Sequence, residues 1–306
     1  VLVGESTTGP GNLALGVAET GQGTEAMYKA MAEEMRLAGF NCILGPCCDV
    51  NFNPSSPIID SRSFGDRPAK VALHAAAAVR GLHQGGICGS GKHFPGHGDT
   101  QGDTHREIPR VDKSLSELGE QDLRPFQAAI DAGVDLIMTS HILYPQLDSQ
   151  HPATLSSIIL QDLLRTEMGF EGVIISDCMN MGAIVHHYSP ATAAVLALKA
   201  GINMIMLSEE HYDHSDSYLD KQFAMIHGIM AAVATGDLDE AVIDAALARI
   251  LAFKLAKLVP MALYQPTDMA ANQQVANRCA NQALTWLRQV PELGEGPFYV
   301  LNATPA

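Results

Sequence analysis

The stretch "GVIISD", residues 172–177, decides the fold, because it is a short apolar run that ends on a carboxylate. Its apolar residues follow one another without alternation, as in a parallel strand that is covered on both faces. Runs of the same kind occur at five other places: "VLV" at 1–3, "CIL" at 42–44, "GICGSG" at 86–91, "DLIMTS" at 135–140 and "NMIML" at 203–207. We therefore predict six parallel strands.

Amphipathic segments separate these runs and predict helices, which lie at 24–38, 114–132, 156–168 and 237–258. The first three of these segments stop at a glycine: Gly39, Gly133 and Gly169. Ser114 and Glu117 have the spacing of a capping box, which is typical of a helix start. The alternation of strands and helices predicts an α/β fold with a parallel sheet. A TIM-type (β/α)8 barrel is the leading interpretation, and an open doubly wound sheet is the alternative.

The number of strands bears on the domain organisation. Six strands are fewer than the eight of a closed barrel, so we expect the barrel to lack its first strand. We assign residues 1–260 to this barrel. Residues 261–306 have a different character, a helix followed by a turn and the apolar run "FYVLN", and are predicted to be a C-terminal extension that opens a second domain.

Composition limits the functional classes. The 306 residues are 47% hydrophobic and 17% charged, with a formal net charge of −15. This acidity argues against a nucleic-acid ligand and favours a neutral or cationic small molecule. The sequence contains no run of about 18 apolar residues, so no membrane span is predicted. The six cysteines show no disulfide spacing, so we expect reduced thiols and a cytoplasmic protein.

Reactive side chains follow the ends of the predicted strands, where barrel enzymes carry their catalytic groups. These residues are Glu5, Asp49, Lys92, His93, His141 and Asp177. Asp177 could instead cap a following helix, but the next residues, "CMNMG", make a poor helix start. A functional role for Asp177 is therefore the favoured interpretation.

A histidine-rich loop, "GKHFPGHGDTQGDTHREIP" at 91–109, allows three interpretations. A metal site is one, but the potential ligands are spaced by glycines that do not fix side chains. A structural role is another, and we favour it for His97, which we expect to bond backbone carbonyls of the loop. For Asp103 and His105 we favour proton transfer, because a carboxylate two residues away can fix the imidazole tautomer. We predict no metal and no cofactor.

Four motifs resemble glycoside hydrolase family 3, in particular its β-N-acetylglucosaminidase branch. In chain order they are "GPCCDVNFNPSSPIIDSRSFGD", "KHFPGHGDTQGDTH", "IMTSHILYP" and "GVIISDCMNMGAI", and the resemblance covers about residues 1–210. The resemblance implies a TIM-type barrel and a retaining exo-β-N-acetylglucosaminidase, whose substrate is a small molecule or oligosaccharide with a terminal β-linked N-acetylhexosamine.

The same resemblance implies a role for individual residues. Asp177 would be the nucleophile, and His105, held by Asp103, the general acid and then the general base. The sugar would be bound by residues matching the family's other motif positions: Arg62, Lys92, His93, Glu5, Asp49 and Met181.

One departure from the family pattern concerns sugar specificity. Where the family commonly has D-x-E-G-G-x-x-x-R, this chain has "VGESTTGPGNLALG", with Glu5 in place of the aspartate and no arginine. Alternatives to the hydrolase are a β-N-acetylglucosaminide phosphorylase, a β-glucosidase-type family member, a metal-dependent hydrolase and a non-catalytic sugar-binding homologue.

Overall fold

The fold is α/β and is built on a parallel sheet. The computed structural model describes residues 6–53, 56, 58–100, 108–208, 218–257 and 267–283. The sheet has the order β1-β2-β3-β4, with all neighbours parallel, and its strands are β1 (Cys42–Ile43), β2 (Cys88–Phe94), β3 (Leu136–Thr139) and β4 (Val173–Ile175). On the far side of β4, Met204 forms an isolated parallel bridge with Ile175.

Helices connect and cover these strands. They are α1 (Asn12–Leu15), α2 (Gln22–Leu37), α3 (Pro68–Gln84), α4 (Leu115–Glu120), α5 (Leu123–Asp131), α6 (Gly182–Val185), α7 (Pro190–Ala200), α8 (Tyr218–Thr235), α9 (Glu240–Lys257) and α10 (Met269–Gln282). A π-helix occupies Ile158–Glu167, and short 3₁₀ turns occupy Asp60–Arg62 and Ala153–Leu155. None of the described helices is both long and apolar enough to cross a bilayer.

The predicted strands are confirmed at four of the six positions. At 203–207 the structure has a single bridge at Met204 and no strand, so the prediction of a strand over these residues is wrong. The run at 1–3 lies outside the described residues. Side chains of β3 are all buried, and those of β2 are buried except for Lys92, as expected for a sheet covered on both faces.

The predicted helix at 114–132 is two helices, α4 and α5. Its start is correct, because Ser114 and Glu117 form the complete capping box. The chain leaves helical geometry at Gln121, where φ is −114° and ψ is −80°. Pro125 explains the break, because a proline has no N–H to donate to the carbonyl four residues earlier and its ring crowds that carbonyl.

The other predicted helices are confirmed as α2, the π-helix and α9, although the hydrogen bonding of the π-helix was not foreseen. Gly39, Gly133 and Gly169 end three of the predicted helices with φ values of 89°, 84° and 69°. These left-handed values are the ones that glycine adopts without steric penalty.

The core has two main parts. The larger part lies between the sheet and helices α3, α5 and α7, where Phe94 and Phe126 meet edge to face at 5.3 Å between ring centroids. The second part lies between α2 and α3 and also contains Ala276 and Cys279 of α10. A described part of the predicted C-terminal extension therefore packs directly on α2, and the boundary at residue 260 stays a prediction.

Candidate active site

The carboxyl ends of β2, β3 and β4 bring four of the expected residues together. Lys92 and His93 lie just before the last residue of β2. His141 follows β3 by two residues, and Asp177 follows β4 by two residues. The register pairs Met138 with Ile175, so continuing both strands by three residues places His141 beside Cys178. Parallel strands end at one edge of a sheet, and these side chains meet there for that reason.

Lys92 and His93 owe their direction to a β-bulge in β2. Gly91 pairs with Ile137 and Phe94 pairs with Thr139, so two residues of β2 oppose the single residue Met138. A bulge of this kind turns the extra side chains out of the regular alternation and is common beside active sites. The bulge thus places Lys92, which is partly exposed, and the buried His93 at the end of the strand.

Asp177 is a half-buried carboxylate in a positive environment. Its Oδ1 accepts a hydrogen bond of 2.7 Å from the backbone N–H of Cys178. Burial raises the pKa of Asp177, but the positive charges of His93, His141 and Lys92 and the Cys178 hydrogen bond together hold that pKa below its usual value. Asp177 is therefore ionised at neutral pH.

Asp49 lies behind His93 and is fully buried. Its carboxylate accepts hydrogen bonds from the ring Nδ1 of His93 at 2.8 Å and from the backbone N–H groups of His93 and His97 at 3.1 and 2.7 Å. Burial raises the pKa of Asp49, but His93 and these hydrogen bonds lower it by more, so the net pKa is well below the usual range. A substrate contact for Asp49 stays a prediction, since its described bonds hold the histidine loop.

His97 has the structural role within the loop that is expected from the sequence. Its Nδ1 lies 2.8 Å from the hydroxyl of Thr100, which in turn donates to the His97 carbonyl. Burial lowers the pKa of His97 to about 4, so the ring is neutral at pH 7.

Arg62 and Met181 lie at the margins of this group. Arg62 is exposed in its 3₁₀ turn and donates from Nε to the carbonyl of Ile58 at 3.1 Å. Met181 is buried and donates its backbone N–H to the carbonyl of Cys178 at 3.1 Å, which braces the turn after Asp177. Their predicted contacts with substrate stay predictions.

Three expected residues, Glu5, Asp103 and His105, lie outside the described residues. The two sides of the segment that carries Asp103 and His105 are nevertheless fixed. Asp99, before the segment, pairs at 3.1 Å with Lys113, after it, and Lys113 also pairs with the buried Asp122 at 2.7 Å. Also after the segment, the backbone N–H of Val111 donates to the carbonyl of Leu143 at 3.0 Å.

Lys113 and Asp122 are residues that sequence reasoning missed. Burial raises the pKa of Asp122 to about 6, even though Lys113 acts to lower it. Lys113 also lies over the ring of Phe52, with Nζ 4.2 Å from the centroid. Neither residue follows a strand or belongs to a recognisable motif, so the sequence carried no signal for them.

A metal centre has no complete set of ligands in the part of the chain that the structure describes. No group of three or more His, Cys, Asp or Glu side chains there is arranged to hold an ion. The six cysteines are all free thiols.

Residues 1–253 match the family model described as "Glycosyl hydrolase family 3 N terminal domain". A β-hexosaminidase A of Pseudoalteromonas piscicida is 33% identical over 266 residues, which cover 82% of this chain and 44% of the relative. A β-hexosaminidase of Idiomarina loihiensis is 38% identical over 180 residues, 59% of this chain and 53% of the relative. The chain spans about half the length of the curated relatives it matches.

Solved structures show the same fold. A glycoside hydrolase family 3 β-N-acetylglucosaminidase from Paenibacillus sp. str. FPU-7 superposes with a TM-score of 0.86 at 35% identity, covering 94% of this chain and 54% of that one. Zinc-bound CbsA from Thermotoga neapolitana superposes with a TM-score of 0.75 at 30% identity, covering 88% and 55%. These likenesses confirm the TIM-type α/β fold, of which the four-stranded sheet is part.

Proposed function

The chain belongs to glycosyl hydrolase family 3, and on that premise we propose that it carries the active site of a retaining exo-β-N-acetylhexosaminidase. The activity removes a terminal β-linked N-acetylhexosamine from a small molecule or oligosaccharide. Relatives named β-hexosaminidase and a related β-N-acetylglucosaminidase structure support this substrate class.

The observation that carries the proposal is the position of the Asp177 carboxylate, directly after β4 and beside Lys92 and His93. A retaining glycosidase needs a carboxylate that attacks the anomeric carbon from the face opposite the leaving group. Asp177 has the required charge and lies beside the hydrogen-bond donors Lys92 and His93. In the first step an Asp177 oxygen forms a bond to the anomeric carbon while the bond to the aglycone oxygen breaks.

Proton transfer is assigned to His105. The imidazolium of His105 protonates the departing oxygen, and the neutral imidazole then takes a proton from the water that displaces Asp177. Asp103 orients the imidazole in both steps. Net, one glycosidic bond and one water give a sugar of retained configuration and the free alcohol.

Sugar binding is assigned to Lys92, His93 and Arg62, with Glu5 and Met181 completing the pocket. The two cationic side chains and the imidazole donate hydrogen bonds to sugar hydroxyls. Asp49 fixes His93 from behind, because its carboxylate accepts both the ring Nδ1 proton and the backbone proton of that histidine. This arrangement suits an uncharged ligand rich in hydroxyl groups.

Phosphorolysis is a second candidate function. An imidazole acid/base does not repel phosphate as a second carboxylate would, and Lys92 places positive charge beside Asp177. Phosphate would then replace water as the acceptor of the glycosyl group and yield a sugar 1-phosphate.

The wider organisation is also part of the proposal. Residues 1–260 are assigned to the catalytic barrel and residues 261–306 to a C-terminal extension that opens a second domain. The free thiols of the described core support the predicted cytoplasmic localisation.

The nucleophile is tested by Asp177→Ala in the full-length protein, assayed on an aryl β-N-acetylglucosaminide. We expect turnover to fall on the order of 10⁴-fold, and added azide to restore it by forming an α-glycosyl azide in the space left by the carboxylate. Asp131→Ala, at an exposed aspartate of α5, is the matched control and should keep normal activity. Undiminished hydrolysis by Asp177→Ala would refute the assignment.

The acceptor and specificity are tested by a substrate panel of aryl β-glycosides of GlcNAc, GalNAc, glucose and xylose, run with and without phosphate. Free GlcNAc formed at the same rate in both conditions supports the hydrolase. GlcNAc 1-phosphate formed only with phosphate identifies the phosphorylase, and a preference for glucose identifies the glucosidase. Because the CbsA structure holds zinc, a chelator arm is included, and loss of activity there would favour the metal-dependent alternative.

A further inference from the structure

A buried histidine next to the nucleophile has no part in the mechanism so far. His141 is almost fully buried, with 1% of its surface exposed. Its Nε2 lies 3.0 Å from the carbonyl oxygen of Cys178, and its Nδ1 lies 2.8 Å from the hydroxyl oxygen of Thr154. The first of these bonds joins β3 to the turn that carries Asp177.

The hydrogens around Thr154 determine the protonation of this ring. The Thr154 hydroxyl lies 2.9 Å from the carbonyl of Ser140, which can only accept and also receives the Thr154 backbone N–H at 3.2 Å; when the hydroxyl donates to this carbonyl, it has no proton left for His141. The hydroxyl of Thr139, 2.8 Å away, can donate to the oxygen of Thr154. In this arrangement His141 donates a proton from Nδ1 to the oxygen of Thr154.

The other nitrogen of His141 must donate as well. The Cys178 carbonyl offers only lone pairs, so the bond at Nε2 requires a proton on that atom. With a proton on each ring nitrogen, all four contacts are satisfied at once and the ring is an imidazolium. A neutral ring protonated at Nε2 would instead accept the Thr154 hydroxyl proton at Nδ1, and the 2.9 Å contact between the Thr154 hydroxyl and the Ser140 carbonyl would then have no hydrogen.

Asp177 supplies the opposite charge. The Cys178 carbonyl that His141 holds belongs to the residue directly after Asp177, and the same residue's N–H donates to the Asp177 carboxylate at 2.7 Å. One hydrogen-bonded turn therefore links the imidazole to the carboxylate.

We propose that His141 is a positioning residue that is held doubly protonated by Thr154 and Cys178, fixes the turn after β4, and keeps the Asp177 carboxylate charged. The proposal rests on the proposed function, in which Asp177 is the nucleophile. Lys92 and His93 face the same carboxylate from β2, and their charges act in the same direction. Removal of His141 alone is therefore expected to weaken the effect without abolishing it.

The protonation state is tested by ¹⁵N-edited NMR of the full-length protein labelled at histidine, with His141→Gln used to assign the signal. We expect one-bond N–H correlations from both ring nitrogens of His141 at pH 7. In Asp177→Asn the ring loses its counter-charge and should release its second proton at a lower pH than in the wild type. A single protonated nitrogen at pH 7, or a titration that Asp177→Asn leaves unchanged, would overturn the proposal.

The consequence for catalysis is tested with Thr154→Val, which removes the acceptor that requires the second proton. The acid limb of kcat/KM, which reports ionisation of the nucleophile, is expected to move up by about one pH unit. The matched control is Thr24→Val, because Thr24 is also buried and bonds the buried His74 at 2.7 Å, far from the site. This control variant should lose a comparable amount of stability, and the acid limb of its kcat/KM profile should stay at the wild-type pH.

The outcomes separate the inference from the function on which it rests. An unmoved limb in Thr154→Val and His141→Gln, with both variants folded, refutes the positioning role. A doubly protonated His141 that responds to Asp177→Asn, in a protein that hydrolyses no glycoside, refutes the proposed function while supporting the charge pair.

Discussion

Asp49 and His93 form a buried pair in which the ring Nδ1 of His93 donates to the carboxylate of Asp49 at 2.8 Å. Because the carboxylate is ionised, the histidine is held in the tautomer or charge state that keeps the proton on Nδ1, and its Nε2 is left to point away from the pair. The same carboxylate accepts the backbone N–H of His97 at 2.7 Å, so it also fixes the next turn of the histidine loop.

The first prediction concerns Asp49→Asn. The substitution removes the negative charge, so we expect it to destabilise the fold by about 2–3 kcal/mol and to lower kcat/KM by roughly tenfold to a hundredfold. Urea unfolding and an aryl-glycoside assay measure the two effects. Asp66→Asn, at an exposed aspartate, is the control and should change neither.

The pH dependence of the same variant has a definite sign. The pKa of Asp49 is lower in the folded protein than in the unfolded chain, where it is about 4. Its stabilising contribution is therefore fully present above about pH 4 and is lost as pH falls through the folded value. Asp49→Asn should show a smaller loss of stability on acidification than the wild type, and an equal loss would contradict the prediction.

The second prediction concerns Lys113→Met, which leaves the buried Asp122 without its partner. We expect a loss of about 3 kcal/mol at pH 8. Burial already raises the pKa of Asp122 to about 6, so the contribution of Asp122 to wild-type stability declines as pH rises from about 4 to about 6 and is then constant. Without Lys113 this decline should extend to higher pH. Urea unfolding at pH 5 and pH 8 measures the difference.

The control for this prediction is the double variant Lys113→Met with Asp122→Asn. An amide carries no charge at either pH, so the additional loss of stability at pH 8 should disappear. If the single and double variants respond to pH alike, the ion pair is not the cause.

The sequence was informative about the sheet because parallel strands buried on both faces are continuous apolar runs. It was less informative about α3, an alanine-rich helix at Pro68–Gln84 that was not predicted, because its small side chains are buried around much of its circumference and give a weak period. It also placed the end of β2 too early. Lys92 and His93 are polar, but the bulge lets the strand continue through them to Phe94.

The gathering of Lys92, His93 and Asp177 was predictable, because reactive side chains at the ends of neighbouring parallel strands lie at the same edge of the sheet. The pairing of Asp49 with His93 was not, because an aspartate after a strand has the same sequence pattern whether it faces a ligand or supports another side chain. The pair of Lys113 and Asp122 depends on how α4 breaks before α5, which is a tertiary arrangement. Sequence spacing does not report such arrangements.

The third prediction concerns Gly98, which lies against the backbone of Val50. A Cβ at this position would be 1.6 Å from the Val50 carbonyl oxygen. Gly98→Ala must therefore push the histidine loop away from the segment that carries Asp49, with an expected cost on the order of 2 kcal/mol and a reduced kcat/KM. Gly119→Ala is the matched control, because a Cβ there meets nothing within 4 Å.

For the control variant Gly119→Ala we expect the opposite effect on stability. Gly119 lies inside α4, so alanine should stabilise the protein by about 0.5–1 kcal/mol and leave activity unchanged. Thermal unfolding of both variants measures the contrast. Equal tolerance of alanine at the two positions would mean that the loop is not packed on Val50.

The last prediction concerns the connection of α10 to the barrel. The buried carboxylate of Glu34 in α2 accepts hydrogen bonds from the Thr7 backbone at 2.8 Å and from the side chain of Asn272 in α10 at 2.8 Å. Asn272→Ala removes one of these donors and should lower stability by about 1–2 kcal/mol. Gln273→Ala, which changes the neighbouring exposed side chain, is the control and should have no effect.

Hydrogen exchange then tests the predicted boundary at residue 260. If α10 belongs to the same cooperative unit as α2, the amides of both helices exchange together in the wild type, and Asn272→Ala accelerates α10 first because its anchor to Glu34 is lost. If the extension is a separate domain, α10 exchanges independently of α2 before any substitution. The packing of Ala276 and Cys279 in the core formed by α2 and α3 leads us to expect the first result, in which α10 and α2 exchange as one cooperative unit.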